Sequence, residues 1–401
     1  MTKYLILGAG PAGLSFAHRL LQRGEKNFII LEANNEAGGL CRSLKVDGSI
    51  IDIGGGHILD VRRSEVVKFL FEFMPRSEWN YFTRDTIINF QGQNISHPFE
   101  ANIWQLDIES QVNFLCSIAK AGCVTGKTKP EKFCDWIKWK LGEKIAHEYM
   151  IPYNQKMFGD ELDNLGTYWL EKLPEVSFED TLKSCLEHKA HAKQPGHAEF
   201  FYPVKFGYGE LWLRMAKSLD GQIFYNQHVS CVDFDSLSVK TLEGSEFSAD
   251  IIINTIPYKE FRELSGMPDS LRESINELKH TSIAIKYFHE NLNISAQWIY
   301  CPDLDLPYHR IFLQHNILPD SAGYWTETNS TRLKPGEKVL YLNKYSYPLN
   351  TLNKPRIMNN LLTWLKSKNF YGLGRWGEHQ HYNSDLVVEL AIKLADELIA
   401  R

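Results

Sequence analysis

Apolar residues along this chain change period several times, and each change marks a change of element. Tyr4 to Leu7 is an unbroken apolar run that meets glycine, as a strand buried on both faces does. From Leu14 the apolar positions take helical spacing through Ala17, Leu20 and Leu21, and a second run, Asn27 to Leu31, ends at Glu32. Strand, turn, helix and strand in succession is the unit of a parallel α/β sheet. From Ile103 to about Met157 the spacing is helical, with Leu106, Val112, Leu115 and Ile118 on one face. Thr128 before Pro130 and Glu131 predicts a helix start for Phe133, Trp136, Ile137 and Leu141. Strand patterns fill Gln222 to Ile256. They return between Thr281 and Tyr345 as Ser282 to Phe288, Trp298 to Tyr300, Arg310 to Leu313 and Val339 to Leu342. The last segment is an amphipathic helix opened by Asp385 and carried by Leu386, Leu390, Leu394 and Leu398.

The first turn reads Gly8-Ala9-Gly10-Pro11-Ala12-Gly13, and Glu32 falls nineteen residues past Gly13. Gly8 permits the tight turn, Gly10 lets backbone approach a pyrophosphate, and Gly13 lets helix and strand pack closely. The helix N-terminus then faces the anion, and the Glu32 carboxylate accepts from ribose hydroxyls while repelling a 2′-phosphate. Two more glycine turns follow, Gly38-Gly39-Leu40-Cys41-Arg42 and Gly54-Gly55-Gly56-His57, and a late one runs Gly372-Leu373-Gly374-Arg375-Trp376-Gly377. This arrangement resembles the flavoprotein superfamily of amine oxidases, protoporphyrinogen oxidases and UDP-galactopyranose mutases. The resemblance implies FAD, held by Gly8, Gly10, Pro11, Ala12, Gly13, Glu32, Gly39, Leu40, Arg42, Gly55, Gly56, Arg375 and Asp385. It also implies an α/β fold: a discontinuous Rossmann-type FAD-binding domain (1–80, 200–265 and 346–401), an inserted small helical domain (100–195) and an antiparallel β-sheet substrate domain (81–99 and 266–345).

Composition narrows the partners. A chain of 401 residues is too long for a single core, which agrees with several subdomains. The net charge of -5 and a pI near 6.3 provide no basic field for nucleic acid. No apolar run reaches the roughly 18 residues of a membrane span, and Met1 leads directly into a strand, so the expectation is a cytoplasmic protein, with a homo-oligomer left open. The seven cysteines are scattered and never spaced as a C-x-x-C pair, so no metal site is expected.

Four stretches separate one flavoenzyme family from its relatives. His97-Pro98-Phe99-Glu100-Ala101-Asn102, Pro152-Tyr153-Asn154-Gln155-Lys156-Met157-Phe158, Trp169-Leu170-Glu171-Lys172 and Tyr300 to Arg310 with its internal Pro307 are similar to segments of the UDP-galactopyranose mutases. That family interconverts a nucleotide-bound hexopyranose and hexofuranose through attack of reduced FAD, at N5, on the anomeric carbon, with NAD(P)H as the reductant. The resemblance gives His57, Arg310, Lys172 and Tyr347 catalytic roles. It assigns His97, Phe99, Glu100, Asn154, Phe158, His197, Tyr300, Arg310, Tyr347, His381 and Tyr382 to the nucleotide-sugar substrate. Physically, arginine answers a diphosphate and aromatics answer a base. The chain departs from the family pattern at His97, Glu100, Phe158 and Lys172, on the substrate side, and in the three glycines that follow Asp52, where the family usually has two. The rival reading is an FAD-dependent oxidoreductase of the amine or protoporphyrinogen oxidase type, and a third is a flavin-bearing binding protein without turnover.

Overall fold

The computed structural model describes residues 2–170, 173–191 and 198–400. Its first layer is a sheet in which Thr2–Leu7 lies between Phe28–Leu31 and Glu246–Asn254, parallel to both. Ile223–Phe224 extends one edge, and Phe370–Gly372 pairs in parallel with the C-terminal half of Glu246–Asn254. The N-terminal half of that long strand turns antiparallel to Ser238–Thr241, which leads to Val229–Asp233 and Glu263–Ser265. Helix Pro11–Gln22 packs on this sheet against the C-terminal helix Ser384–Ile399. Arg19 joins the two helices through Asp396 at 2.8 and 2.7 Å. Tyr4, Ile6, Leu14, Phe16 and Leu20 are fully buried between them.

The second large sheet has the strand order Tyr341–Pro348, His280–Phe288, Tyr324–Asn329, Arg310–Phe312, Trp298–Tyr300, Thr86–Phe90 and Gln93–Ser96. It is antiparallel except at one seam, where Thr86–Phe90 runs parallel to Trp298–Tyr300. Strand Tyr324–Asn329 was not expected, because Thr326, Glu327, Thr328 and Asn329 read as a polar segment; all four are buried. The last strand starts at Tyr341 rather than Val339 and continues to Pro348, which carries Tyr347 into the sheet.

Between the two sheets in sequence lies a helical part, Ile108–Ala119, Phe133–Ile145, Ile151–Phe158 and Phe178–Glu187, around Phe99, Phe114, Phe133, Ile137 and Ile145. The helix expected to start near Thr128 starts at Phe133, with Lys132 as its N-cap. Thr128 and Pro130 stay in a loop held by Trp139, whose indole N–H donates to the Lys127 carbonyl at 2.8 Å. Helix Phe178–Glu187 begins with a reciprocal cap between Ser177 and Asp180. No helix among the described residues is long and apolar enough to cross a membrane.

Candidate functional site

A cleft with about 1450 Å³ of empty space is lined by Gly8, Gly10, Pro11 and Ala12, by Glu32 and Asn34, by Gly39 to Arg42, and by Tyr341 to Tyr345 of the second sheet. At its narrow turn Gly8 has φ of 101°, and a Cβ there would lie 2.5 Å from Thr255 Oγ1. A Cβ on Gly13 would lie 2.0 Å from the Gly8 carbonyl oxygen, so helix and strand pack as closely as the spacing predicts. Gly10 is the N-cap of helix Pro11–Gln22 and no side chain caps it, which leaves the first amides of that helix facing the cleft. Glu32 is oriented by the Ala9 amide at 2.8 Å and by the Asn34 amide and side chain at 2.9 and 2.7 Å.

At the other end of the cleft the groups are side chains. Arg42 donates to Tyr341 Oη at 2.7 Å and to the Gly39 carbonyl at 3.1 Å. Arg375 donates to the Tyr382 carbonyl at 3.1 and 2.8 Å and to the Ser346 carbonyl at 3.1 Å, and burial lowers its pKa. His57 lines the cleft, and its Nε2 is buried with no partner among the described residues. Burial, then the charges of Arg375 and Arg310, push His57 down to about 3, so the ring is neutral. An uncapped helix N-terminus, an oriented carboxylate beyond it and an orphaned imidazole at the far end fit a flavin dinucleotide laid along this cleft.

Behind the third glycine turn stands a row of cross-strand partners. Tyr300 pairs with Arg310, Arg310 with Glu327, Glu327 with Ile285, and Ile285 with Tyr341. Directly opposed residues share a face of the sheet, so the row brings Tyr300 and Arg310 toward the cleft wall that Tyr341 completes. A Cβ on Gly55 would meet Glu327 Oε1 at 3.2 Å and Arg310 Nη2 at 3.6 Å, which puts the pair against the turn itself. Arg310 donates to Glu327 Oε2 through Nε at 3.1 Å and Nη2 at 2.5 Å, and Nη2 lies 3.5 Å from Tyr347 Oη. Burial is the largest influence on Arg310 and opposes its charge, but the Glu327 carboxylate together with Tyr347, Tyr153 and Tyr300 more than offsets it and the pKa is raised.

The Tyr347 ring lies 4.7 Å from the His381 ring at a tilt of 52°, with the Arg375 guanidinium 5.7 Å from it. Tyr300 accepts from Arg84 Nη2 at 2.7 Å and lies 5.2 Å from the Tyr153 ring and 5.5 Å from His97. Burial, then Arg84, drives His97 down to about 3. Tyr382 lines the cleft.

Other expected residues stand apart from this constellation. Phe99 is fully buried among the rings of Phe90, Phe114 and Tyr149 at 4.8 to 5.4 Å. Glu100 is buried beside it, and burial raises its carboxyl pKa. Asn154 spends its amide on the Met150 carbonyl at 2.7 Å, and Phe158 packs on Trp169 at 6.4 Å. Asp385 is held by Arg63 at 2.5 Å, with Oδ1 buried and unpartnered among the described residues. Lys172 and His197 lie outside the described residues. Sequence reasoning missed Glu327, Arg84 and Tyr153. A carboxylate opposite Arg310 could have been sought once two strands were placed side by side, and Tyr153 stood within a quoted stretch.

Fold and cleft together define a flavoenzyme scaffold. The model of the flavin containing amine oxidoreductases matches residues 11–290, and the chain belongs to that family. Within that breadth it is similar to the UDP-galactopyranose mutase of Mycoplasma genitalium, 23% identical over 419 aligned positions that take in 99% of this chain and 94% of that one. A crystal structure of reduced UDP-galactopyranose mutase superposes with a TM-score of 0.89 at 22% identity, covering 100% of this chain and 96% of that chain. An engineered putrescine oxidase superposes with a TM-score of 0.65 at 13% identity, covering 100% and 99%. The chain is a homologue of UDP-galactopyranose mutase, on a fold that oxidases share.

Proposed function

We propose that this protein is a flavin-dependent nucleotide-sugar mutase that interconverts UDP-galactopyranose and UDP-galactofuranose, or a related nucleotide hexose. The observation that carries the reading is the row Tyr300, Arg310 and Glu327 set against Gly55. An oxidase that takes hydride from carbon has no use for a carboxylate-backed guanidinium there. A mutase needs it to meet the charge that grows on a departing diphosphate.

Glu327 aims the Arg310 fork, and Tyr347 supplies a hydroxyl beside it. Arg84, Tyr300 and Tyr153 form an aromatic and cationic corner that suits a base and a phosphate. His57, neutral through burial and with Nε2 unpartnered among the described residues, would offer the flavin a hydrogen-bonding ring without a charge. FAD, bound in reduced form, supplies the nucleophile for the anomeric carbon, and the chain's part is orientation and charge. His381 and Tyr382 stand near enough to Tyr347 and Arg375 to share the diphosphate oxygens. A cytoplasmic location and reduction by NAD(P)H complete the proposal.

Incubation of the dithionite-reduced protein with UDP-galactofuranose, followed by chromatography for the pyranose, tests it. Turnover supports the mutase. No turnover with UDP-, dTDP- or GDP-sugars, together with rapid bleaching of the oxidised flavin by an amine or a porphyrinogen, overturns it in favour of an oxidoreductase.

A further inference from the structure

The helical part carries a surface that the cleft does not use. Between positions 120 and 144 the chain has seven lysines and three acids, although the whole protein has a net charge of -5. Lys120, Lys127 and Lys138 line a groove with about 1070 Å³ of empty space, together with Cys116, Ser117 and Trp139. Among the described residues, none of these three lysines is in an ion pair, and the only carboxylate lining the groove is Glu143. The groove is a built feature. Trp139 holds the Lys127 carbonyl at 2.8 Å, its own carbonyl accepts the Cys123 amide at 2.9 Å, and the Lys127 amide donates to the Gly122 carbonyl at 2.8 Å.

Beside the lysines the surface is aliphatic. Ile108, Val112, Cys116 and Lys120 follow one another at four-residue spacing along helix Ile108–Ala119 and its C-cap, so they share one face. Ile108 is 68% exposed and Val112 52%, and Val124 in the adjoining loop is 43% exposed. A surface that shows bare aliphatics along one helix and, at that helix's end and in the adjoining groove, ammonium groups outside any ion pair matches the boundary of an anionic bilayer. There the aliphatics enter the acyl edge and the lysines stay among phosphates. The acidic remainder of the protein would be repelled, but charges farther away than the Debye length of roughly 8 Å are screened, so this face alone would be presented.

We propose that this face is a peripheral docking surface for membranes rich in anionic phospholipid. The inference does not depend on the reaction in the cleft. The test is co-sedimentation of the flavin-loaded protein with vesicles of phosphatidylcholine, with and without phosphatidylglycerol. Binding should require phosphatidylglycerol and fall steeply with added salt. It should drop about tenfold in the triple variant Lys120→Gln, Lys127→Gln, Lys138→Gln and again in Ile108→Ser with Val112→Ser. Flavin content and thermal midpoint should stay unchanged in both, since these side chains face solvent. Equal sedimentation with and without phosphatidylglycerol, or an unaltered lysine variant, overturns the proposal. So does a chain that ignores vesicles and instead self-associates through Ile108 and Val112.

Discussion

On the Gly8 side of the cleft the recognition groups belong to backbone, whereas on the Arg310 side they are side chains delivered by separate strands. The first wall needs only close approach: a turn without Cβ, an uncapped helix end and one carboxylate held by its neighbours. The second needs five strands in register before Tyr300, Arg310, Glu327 and Tyr341 share a face. A backbone wall tolerates much drift in sequence as long as its glycines stay. A side-chain wall can change its substrate through single substitutions, and His97, one of the departures from the family pattern, lies 5.5 Å from Tyr300 on this wall.

The sharpest way to break the first wall is Gly13→Val, because its Cβ would meet the Gly8 carbonyl oxygen at 2.0 Å. We expect a loss of more than about 4 kcal/mol and no retained flavin, read by denaturant titration and by flavin absorbance per chain. The second wall should fail differently. Glu327→Gln leaves Arg310 without its buried counter-charge and should cost about 3 kcal/mol of stability and most of the turnover, with flavin content kept. Equal loss of flavin in this variant would show that the two walls are not separable.

Arg310→Lys keeps the charge and loses the fork that reaches both Glu327 and Tyr347. It should raise KM for the nucleotide sugar about tenfold, roughly 1.4 kcal/mol, at unchanged flavin content. The smallest effect is on pH. Burial holds His57, His97 and His379 down to about 3 and His280 to about 4, from an ordinary 6.5. The unfolded chain therefore takes up protons below 6.5 that the folded chain refuses, and stability falls as pH drops from about 6.5 toward 4. Asp52, raised to about 6, Glu378, raised to about 7, and Glu100, raised by burial, act in the opposite sense but are fewer. The thermal midpoint measured against pH should fall in this window, and less so in His97→Asn.

Much of the cofactor wall could be read from the chain because its elements are consecutive. Thr2 to Glu32 spans one strand, helix and strand, and local spacing alone sets their geometry. The helix start at Phe133 was misplaced because Thr128 and Pro130 carry the right local chemistry, while the tertiary bond from Trp139 keeps them in a loop. Phe99 and Glu100 occupy a stretch that resembles the mutases, yet their packing among Phe90, Phe114 and Tyr149 depends on helices distant in sequence.

By itself, then, the order of residues determined the dinucleotide turn and the α/β class, which rest on periodicity and short spacing, and it offered Arg310 as a candidate through the resemblance to the mutases. Only the tertiary structure decided that Arg310 faces Glu327, that Arg84 and Tyr153 join Tyr300, and that Lys120, Lys127 and Lys138 share one groove. The reason is physical. Strand register and helix packing are chosen by burial over the whole molecule, and a polar run such as Thr326 to Asn329 gives no local sign that it will be enclosed.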